Sequence, residues 1–214
     1  MAVQIEVISD VVCPWCFIGK RRLETALRTL RQRGGAPEVE VTWRPFQLNP
    51  DMPEDGIDRA EYLRRKFGSN AAQIYQRVSA VGESVGIPFD FARVQRQPNT
   101  LAAHQLIALA RAHGSQDAMV ERLFRAYFLE GADLTREDVL VQLAADAALD
   151  PQVARADLRD AVRRKAVRDE DALARSMGVE GVPFFVFDRR LAVSGAHEPE
   201  VLVQAIERAA KVPG

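Results

Sequence analysis

The amino-acid sequence predicts an α/β fold in which a core domain is interrupted by a block of helices. The first fifty residues alternate between strand and helix patterns, and residues 58–177 carry helical signals. The last part of the chain returns to short strands followed by one helix. We therefore predict a core domain formed by residues 1–50 and 168–214, with a helical insertion domain at residues 51–167.

The N-terminal segment has the pattern of a strand–helix–strand unit. Residues 3–7 alternate between apolar and polar side chains, which is the period of a strand. Pro14 suits the first position of a helix, and Gly34 marks the end of that helix. Residues 39–48 alternate again and predict a second strand. The turn between the first strand and the helix therefore lies just before Pro14.

The middle of the chain carries repeated helix patterns, several of which end at a glycine. The segments are IDRAEYLRRKFG, NAAQIYQRVSAVGESVG, TLAAHQLIALARAHG, AMVERLFRAYFLEG and REDVLVQLAADAALD. We expect no second sheet in this block. The mixed charge run at residues 163–176 is typical of a solvated helix face. After it, VPFFVFD and LAVSG predict a hairpin around DRR, and a last helix is predicted over residues 198–210.

Composition and charge exclude several classes of partner. The chain has 214 residues, 47% of them hydrophobic, and is long enough to bury a sizeable core. Its 29 Lys and Arg balance 30 Asp and Glu without a basic block, so we do not expect nucleic acid as a partner. No run of about 18 apolar residues is present, and the start, MAVQIEVISD, lacks a secretory pattern. We therefore expect no membrane partner and a cytoplasmic location.

The only two cysteines stand three positions apart, at Cys13 and Cys16. Three explanations are open for such a pair. It has no function beyond its place in the structure, it is half of a zinc site, or it is a dithiol that is reversibly oxidised to a disulfide. In a reducing compartment a close pair is more often catalytic, redox-sensing or metal-binding than a structural staple. Zinc needs three or four ligands, and the remaining candidates, His104, His113 and His197, have no paired spacing. We therefore expect no metal site.

The position of Cys13 at a helix N-terminus favours thiol chemistry. Unpaired backbone N–H groups and the helix dipole favour a thiolate over a thiol there. A thiolate attacks disulfides, and Cys16, one turn into the helix, is placed to resolve the mixed disulfide. Pro14 and Trp15 stand between the cysteines and tune the relative stability of disulfide and dithiol, although Trp15 also suits surface packing. A CxxC pair beside a βαβ pattern is typical of thioredoxin-like redox proteins.

Four stretches together resemble the DsbA-like thioredoxin-fold oxidoreductases of the FrnE type. They are DVVCPWCFIGKRRLE, NTLAAHQL, FRAYFLEGADLTREDVLVQLA and GVEGVPFFVFDRRLAVSGA, and they extend in the same order from residue 9 to residue 196. The resemblance implies a thioredoxin-like α/β fold, with a mixed sheet of about four strands and a large α-helical insertion domain. It also implies that Cys13 is the nucleophile, Cys16 the resolving thiol, and Pro183 a cis-proline facing them.

Further residues are candidates for contact with the substrate. A cis bond before Pro183 would turn the backbone of Val182 toward the dithiol, where it could pair with an extended substrate. His104 lies on a helix that the resemblance places over the redox site, so it is either a proton donor or groove residue, or an ordinary buried histidine. Asn49, in the QLNP turn, is a further candidate, although turn chemistry alone explains it.

These residues predict a thiol:disulfide oxidoreductase or isomerase. The same superfamily includes 2-hydroxychromene-2-carboxylate isomerases and kappa-class glutathione transferases, which typically have serine where Cys13 stands. A glutathione-dependent isomerase or transferase is therefore one alternative, and a redox-independent peptide-binding or chaperone module is another. We expect no tightly bound cofactor, with glutathione or another thiol as a candidate co-substrate.

The predicted partners are proteins, peptides or small molecules that contain a thiol or a disulfide. The superfamily includes dimers, so the resemblance allows a homodimer, but the sequence does not define the oligomeric state. It also does not define the physiological substrate or the direction of electron flow, because redox poise depends on how far the folded state stabilises the thiolate.

Overall fold

The structure is a computed structural model that describes residues 2–34 and 36–211. In chain order its elements are β1 (Val3–Ser9), α1 (Pro14–Arg33), β2 (Val39–Pro45), β3 (Ile57–Asp58), α2 (Arg59–Phe67), α3 (Ala71–Ser84), β4 (Arg96–Gln97), α4 (Leu101–Ala112), α5 (Gln116–Phe128), α6 (Glu137–Asp146), α7 (Pro151–Arg159), α8 (Ala161–Ser176), β5 (Phe184–Phe187), β6 (Leu191–Ser194) and α9 (Pro199–Lys211). Short 3-10 turns occupy Gly68–Asn70 and Phe91–Arg93.

A mixed four-stranded sheet forms the centre of the core, with strand order β2-β1-β5-β6. β1 and β2 are parallel, which confirms the predicted βαβ unit, and β5 pairs antiparallel with both β1 and β6. The hairpin turn contains Asp188 and Arg189, whose positive φ angles of 47° and 56° suit the tight twist of such turns. The predicted α/β thioredoxin-like fold with a helical insertion is therefore confirmed.

Two details of the sequence prediction are wrong. The second strand, predicted over residues 39–48, ends at Pro45, because beyond Phe46 the backbone N–H groups bind side chains instead of the sheet. The N–H of Gln47, for example, donates to the Asp171 carboxylate on α8 at 2.8 Å. The helical block also contains a two-stranded antiparallel ribbon, formed by β3 and β4. Its strands have two residues each, which is too short for periodicity to detect.

One hydrophobic core extends through both the sheet and the helical block. Phe17, in the second turn of α1, stacks on Phe124 of α5 at a centroid distance of 5.0 Å and meets the edge of Phe89 at 6.0 Å. Phe17 and Ile18 are fully buried under the start of the helix. The N-terminus of α1 is therefore held from the helical side as well as from the sheet. The domain boundary that we predict at residue 168 falls within α8.

Candidate active site

Cys13 is the N-cap residue of α1, and Pro14 is the first residue of that helix. The backbone of Cys13 is extended, with φ −93° and ψ 110°, and its N–H donates to the carbonyl of Asp10 at 3.0 Å. The N–H of Cys16 donates in turn to the carbonyl of Cys13 at 3.0 Å. The sequence folds this way because proline has no N–H to lose at the first helical position and has a suitable φ. Cys13 therefore lies at the positive end of the helix dipole.

The two thiols are both free and have different surroundings. The Cys16 side chain is fully buried, and burial is the main reason why its pKa lies well above the ordinary value. A hydrogen bond to the Cys13 sulfur and the charge of that sulfur raise the pKa of Cys16 further, while the Ser9 hydroxyl and the Asp10 backbone oppose these effects. Cys16 is therefore a thiol that is shielded from solvent and in contact with the Cys13 sulfur.

We expect a thiol that attacks substrates to be exposed, but Cys13 has an exposed fraction of only 5%. The reason is the loop before β5, where the Val182-Pro183 peptide bond is cis as predicted. The Cys13 Sγ donates to the Val182 carbonyl oxygen at 3.5 Å, so this loop lies directly against the nucleophile candidate. Trp15, between the cysteines, is the more exposed neighbour, at 39%.

Gly19 on α1 is a residue of this site that sequence reasoning missed. A Cβ atom built at Gly19 would lie 2.9 Å from Cγ of Pro183, a separation that real Cβ atoms essentially never show. The missing side chain therefore allows the cis-proline loop to pack against the helix that carries both thiols. The only signal in the sequence is a glycine within the second turn of a predicted helix, where it costs about 1 kcal/mol relative to alanine.

Asp10 and His104 form a buried pair behind the cysteine turn. Their exposed fractions are 0% and 3%, and His104 Nε2 lies 3.4 Å from Asp10 Oδ1. The other carboxylate oxygen of Asp10 accepts from the N–H of Leu48 at 2.8 Å, which ties the loop after β2 to the end of β1. Asp10 is not among the site residues that the sequence predicts. A charged residue between an apolar strand and a CxxC turn is the signal that could have found it.

Asn49 lies beyond Leu48 in the same loop, and its Nδ2 donates to the hydroxyl of Tyr62 on α2 at 3.3 Å. The structure therefore joins this candidate residue to the helical insertion. The remaining histidines, His113 and His197, are exposed. Within residues 2–34 and 36–211, no three His, Cys, Asp or Glu side chains are grouped closely enough to hold a metal ion. No helix in that part of the chain is both long and apolar enough to cross a membrane.

These features define a thioredoxin-fold dithiol protein. They are the mixed sheet, the CxxC pair at the start of α1 and the cis-proline loop that lies against Cys13. The DSBA-like thioredoxin domain model matches residues 4–207. The chain belongs to this family, and the match supports a general assignment as a disulfide oxidoreductase or isomerase.

Several known proteins are similar to this one over nearly the whole chain. A probable DsbA oxidoreductase from Streptomyces coelicolor is 33% identical, with a TM-score of 0.88 over 99% of this chain and 92% of that one. The uncharacterised protein YwbO of Bacillus subtilis is 27% identical over 96% of both chains. The cytosolic disulfide reductase DsbM of Pseudomonas aeruginosa, solved with glutathione, shares the fold, with 19% identity and a TM-score of 0.69 over 98% of this chain and 100% of that one.

Proposed function

We propose that this protein is a thiol:disulfide oxidoreductase in which Cys13 is the nucleophile and Cys16 the resolving thiol. The observation that carries the proposal is the contrast between the two sulfurs. Cys13 lies at the N-terminus of α1 against the Val182 carbonyl, whereas Cys16 is fully buried behind it. A sulfur at a helix N-terminus is stabilised as a thiolate, and the thiolate is the attacking species.

The reaction proceeds in two exchanges. The Cys13 thiolate attacks one sulfur of a substrate disulfide, the substrate S–S bond breaks, and one substrate thiolate leaves. Cys16 then loses its proton and attacks the Cys13 sulfur, which releases the second substrate thiolate and leaves a Cys13–Cys16 disulfide. The substrate gains two electrons and the protein loses two. The reverse sequence oxidises a dithiol substrate.

The residues around the dithiol have supporting roles in this proposal. The Val182 backbone, next to Pro183, pairs with an extended substrate while its sulfur is attacked. Pro14 and Trp15 tune the stability of the disulfide, and exposed Trp15 also lies where a substrate arrives. His104 and Asp10 act through the shape of the loops behind the cysteines.

Glutathione is the co-substrate that we propose for returning the dithiol to its starting state, in a reducing, cytoplasmic setting. DsbM, which shares the fold, has been solved with glutathione. Disulfide- or thiol-containing peptides and small molecules are the proposed substrates. Cys13 stands where serine-dependent glutathione enzymes of the superfamily carry their serine, so dithiol exchange is the function we favour over that alternative and over a redox-independent chaperone.

Single cysteine variants test the order of attack. With Cys16→Ser, glutathione disulfide should form a long-lived mixed disulfide on Cys13, because no second thiol expels it. With Cys13→Ser, little adduct should form, because the remaining thiol is buried and its pKa is raised. Intact-mass measurement over time distinguishes the two. Equal adduct formation by both variants would contradict an ordered pair of attacking and resolving thiols.

A further inference from the structure

A polar cluster on the helical side of the candidate active site has no part in the exchange mechanism described above. It consists of Asn49, Arg59, Tyr62, Lys66 and Tyr75, and we call it the tyrosine–arginine cluster. Its members come from the loop after β2 and from α2 and α3. It contains two cationic side chains and two phenols but no carboxylate.

Arg59 is the most unusual member, because it is a buried cation without an acidic partner. Its exposed fraction is 5%. Its guanidinium donates to the Gln97 side-chain oxygen and to the Tyr75 hydroxyl, and it lies over the rings of Tyr62 and Tyr75 at 5.3 and 5.4 Å. In the described part of the chain, no carboxylate oxygen lies within 4.0 Å of it. Buried charges are normally paired with an opposite charge. The charge of Arg59 is instead compensated only by neutral acceptors and by the faces of aromatic rings.

The two phenols of the cluster accept hydrogen bonds and keep their own protons available. The Tyr62 hydroxyl accepts from Asn49 Nδ2 at 3.3 Å and from Lys66 Nζ at 2.8 Å, and the Tyr75 hydroxyl accepts from Arg59. A phenol has one proton to donate. The side-chain amide nitrogen of Gln97, next to Arg59, is buried and has no hydrogen-bond partner among the residues that the structure describes. Donors therefore exceed acceptors throughout the cluster, which is the composition of a site for an anion.

The cluster is close to the nucleophile candidate. Ring packing connects the cluster to the helix that carries Cys13: the ring centroids of Tyr75 and Phe91 are 4.5 Å apart, Phe91 stacks on Phe89 at 4.9 Å, and Phe89 meets the edge of Phe17 at the start of α1. Burial is the main cause of the raised pKa of Tyr75; the Arg59 charge opposes it, and the charges of Tyr62 and Cys13 add to it.

The cluster can be reached from solvent at one side. Arg59 and Tyr62 are buried, whereas Asn49 and Tyr75 are half-buried and Lys66 is exposed. An anionic group can therefore meet the Lys66 ammonium and the Tyr75 hydroxyl first, with the buried guanidinium behind them. Charge-assisted hydrogen bonds of this kind are stronger than neutral ones.

We propose that the tyrosine–arginine cluster binds a carboxylate that the substrate carries a few bonds away from the sulfur that Cys13 attacks. This inference rests on the proposed function, and it names the substrate class as acidic disulfides and thiols. The carboxylate supplies the missing acceptor for the cations and phenol protons, and its binding orients the disulfide toward Cys13.

A pair of disulfides that differ in charge tests the proposal. Reduced protein is mixed with 3,3′-dithiodipropionate, which carries a carboxylate at each end, or with neutral bis(2-hydroxyethyl) disulfide. The second-order rate constant for protein oxidation is measured for each by quenching and intact mass. The ratio of the acidic to the neutral rate constant is the quantity of interest, because any change in Cys13 reactivity affects both reactions and cancels.

Two variants remove single donors without a large change in volume. Tyr75→Phe deletes one hydroxyl, and Lys66→Gln deletes an exposed charge, so both should fold even if Arg59→Gln does not. We expect the ratio to fall several-fold in each and about tenfold in a folded Arg59→Gln protein, as lost charge-assisted hydrogen bonds predict. Arg65→Gln is the matched control, because Arg65 is exposed on the same helix and pairs with Glu61. It should leave the ratio unchanged.

The outcomes separate this inference from the proposed function. If wild-type protein reacts with neither disulfide, the proposed function fails. If it reacts with both, and Tyr75→Phe and Lys66→Gln slow both equally or neither, the carboxylate site is wrong while the oxidoreductase assignment stands. If both variants lower the ratio, the carboxylate site is supported. A disulfide-bonded peptide with Glu beside its cysteine is then compared with its Gln version, to show whether a peptide carboxylate binds as well as a carboxylate on a small molecule.

Discussion

Cys13 and Cys16 are three positions apart, but their surroundings give them different chemistry. Cys13 has the helix N-terminus and the Val182 carbonyl as neighbours. Cys16 is enclosed, and burial raises its pKa. The spacing alone predicts the order of the two thiols, since only one of them can be the N-cap. The extent to which the loop before β5 covers Cys13 depends on tertiary contacts and could not be predicted from the sequence.

Alkylation should therefore select Cys13. We expect iodoacetamide to label Cys13 first at mildly acidic and neutral pH in the reduced protein. Cys16 should stay unlabelled past the ordinary thiol pKa of about 8.5, because a raised pKa keeps it protonated until the pH rises through the higher value. Peptide mass spectrometry after labelling at a series of pH values measures both sites. Labelling of Cys16 before Cys13 would reverse the assignment of nucleophile and resolving thiol.

The elements that carry the site were predictable to different degrees. Most of the sheet and its first helix were predictable from three signals: the period-2 pattern of β1, the short β-branched and aromatic segments of the β5–β6 hairpin, and the proline and glycine at the two ends of α1. The predicted second strand was too long, because buried carboxylates bind the backbone after Pro45. The β3–β4 ribbon was missed, since two residues per strand give no pattern.

The contact between α1 and the cis-proline loop gives a prediction at the scale of elements. Gly19→Ala in a helix should by propensity stabilise the protein by about 1 kcal/mol. Here the added Cβ would lie 2.9 Å from Pro183, and overpacking of this kind costs about 1–3 kcal/mol. We expect net destabilisation in urea unfolding, together with faster alkylation of Cys13 as the loop moves away. A more stable Gly19→Ala protein with unchanged Cys13 reactivity would show that the contact does not position the site.

At the scale of the whole molecule, the candidate active site is built from both the sheet and the helical block. The aromatic packing of Phe17 against α5 holds the start of α1, and the buried His104 of α4 lies 3.4 Å from the Asp10 carboxylate at the end of β1. The sequence indicates His104 through the family resemblance and Asn49 through its turn, but it gives no signal for Arg59 or Tyr75. These two residues occupy ordinary helix positions in the sequence, and only the packing of α3 against α1 and of α2 against α3 brings them to this side of the molecule.

The central claim is that Cys13 and Cys16 form one reversible two-electron redox pair. The most direct test is equilibration of the protein with reduced and oxidised glutathione at a series of ratios, followed by acid quenching, alkylation and intact-mass analysis. We predict that wild-type protein converts from two free thiols to an intramolecular disulfide in a single two-electron transition, with little mixed disulfide, and that neither single cysteine variant forms this species. Only free or glutathionylated thiols at every ratio, with no intramolecular disulfide, would contradict the account.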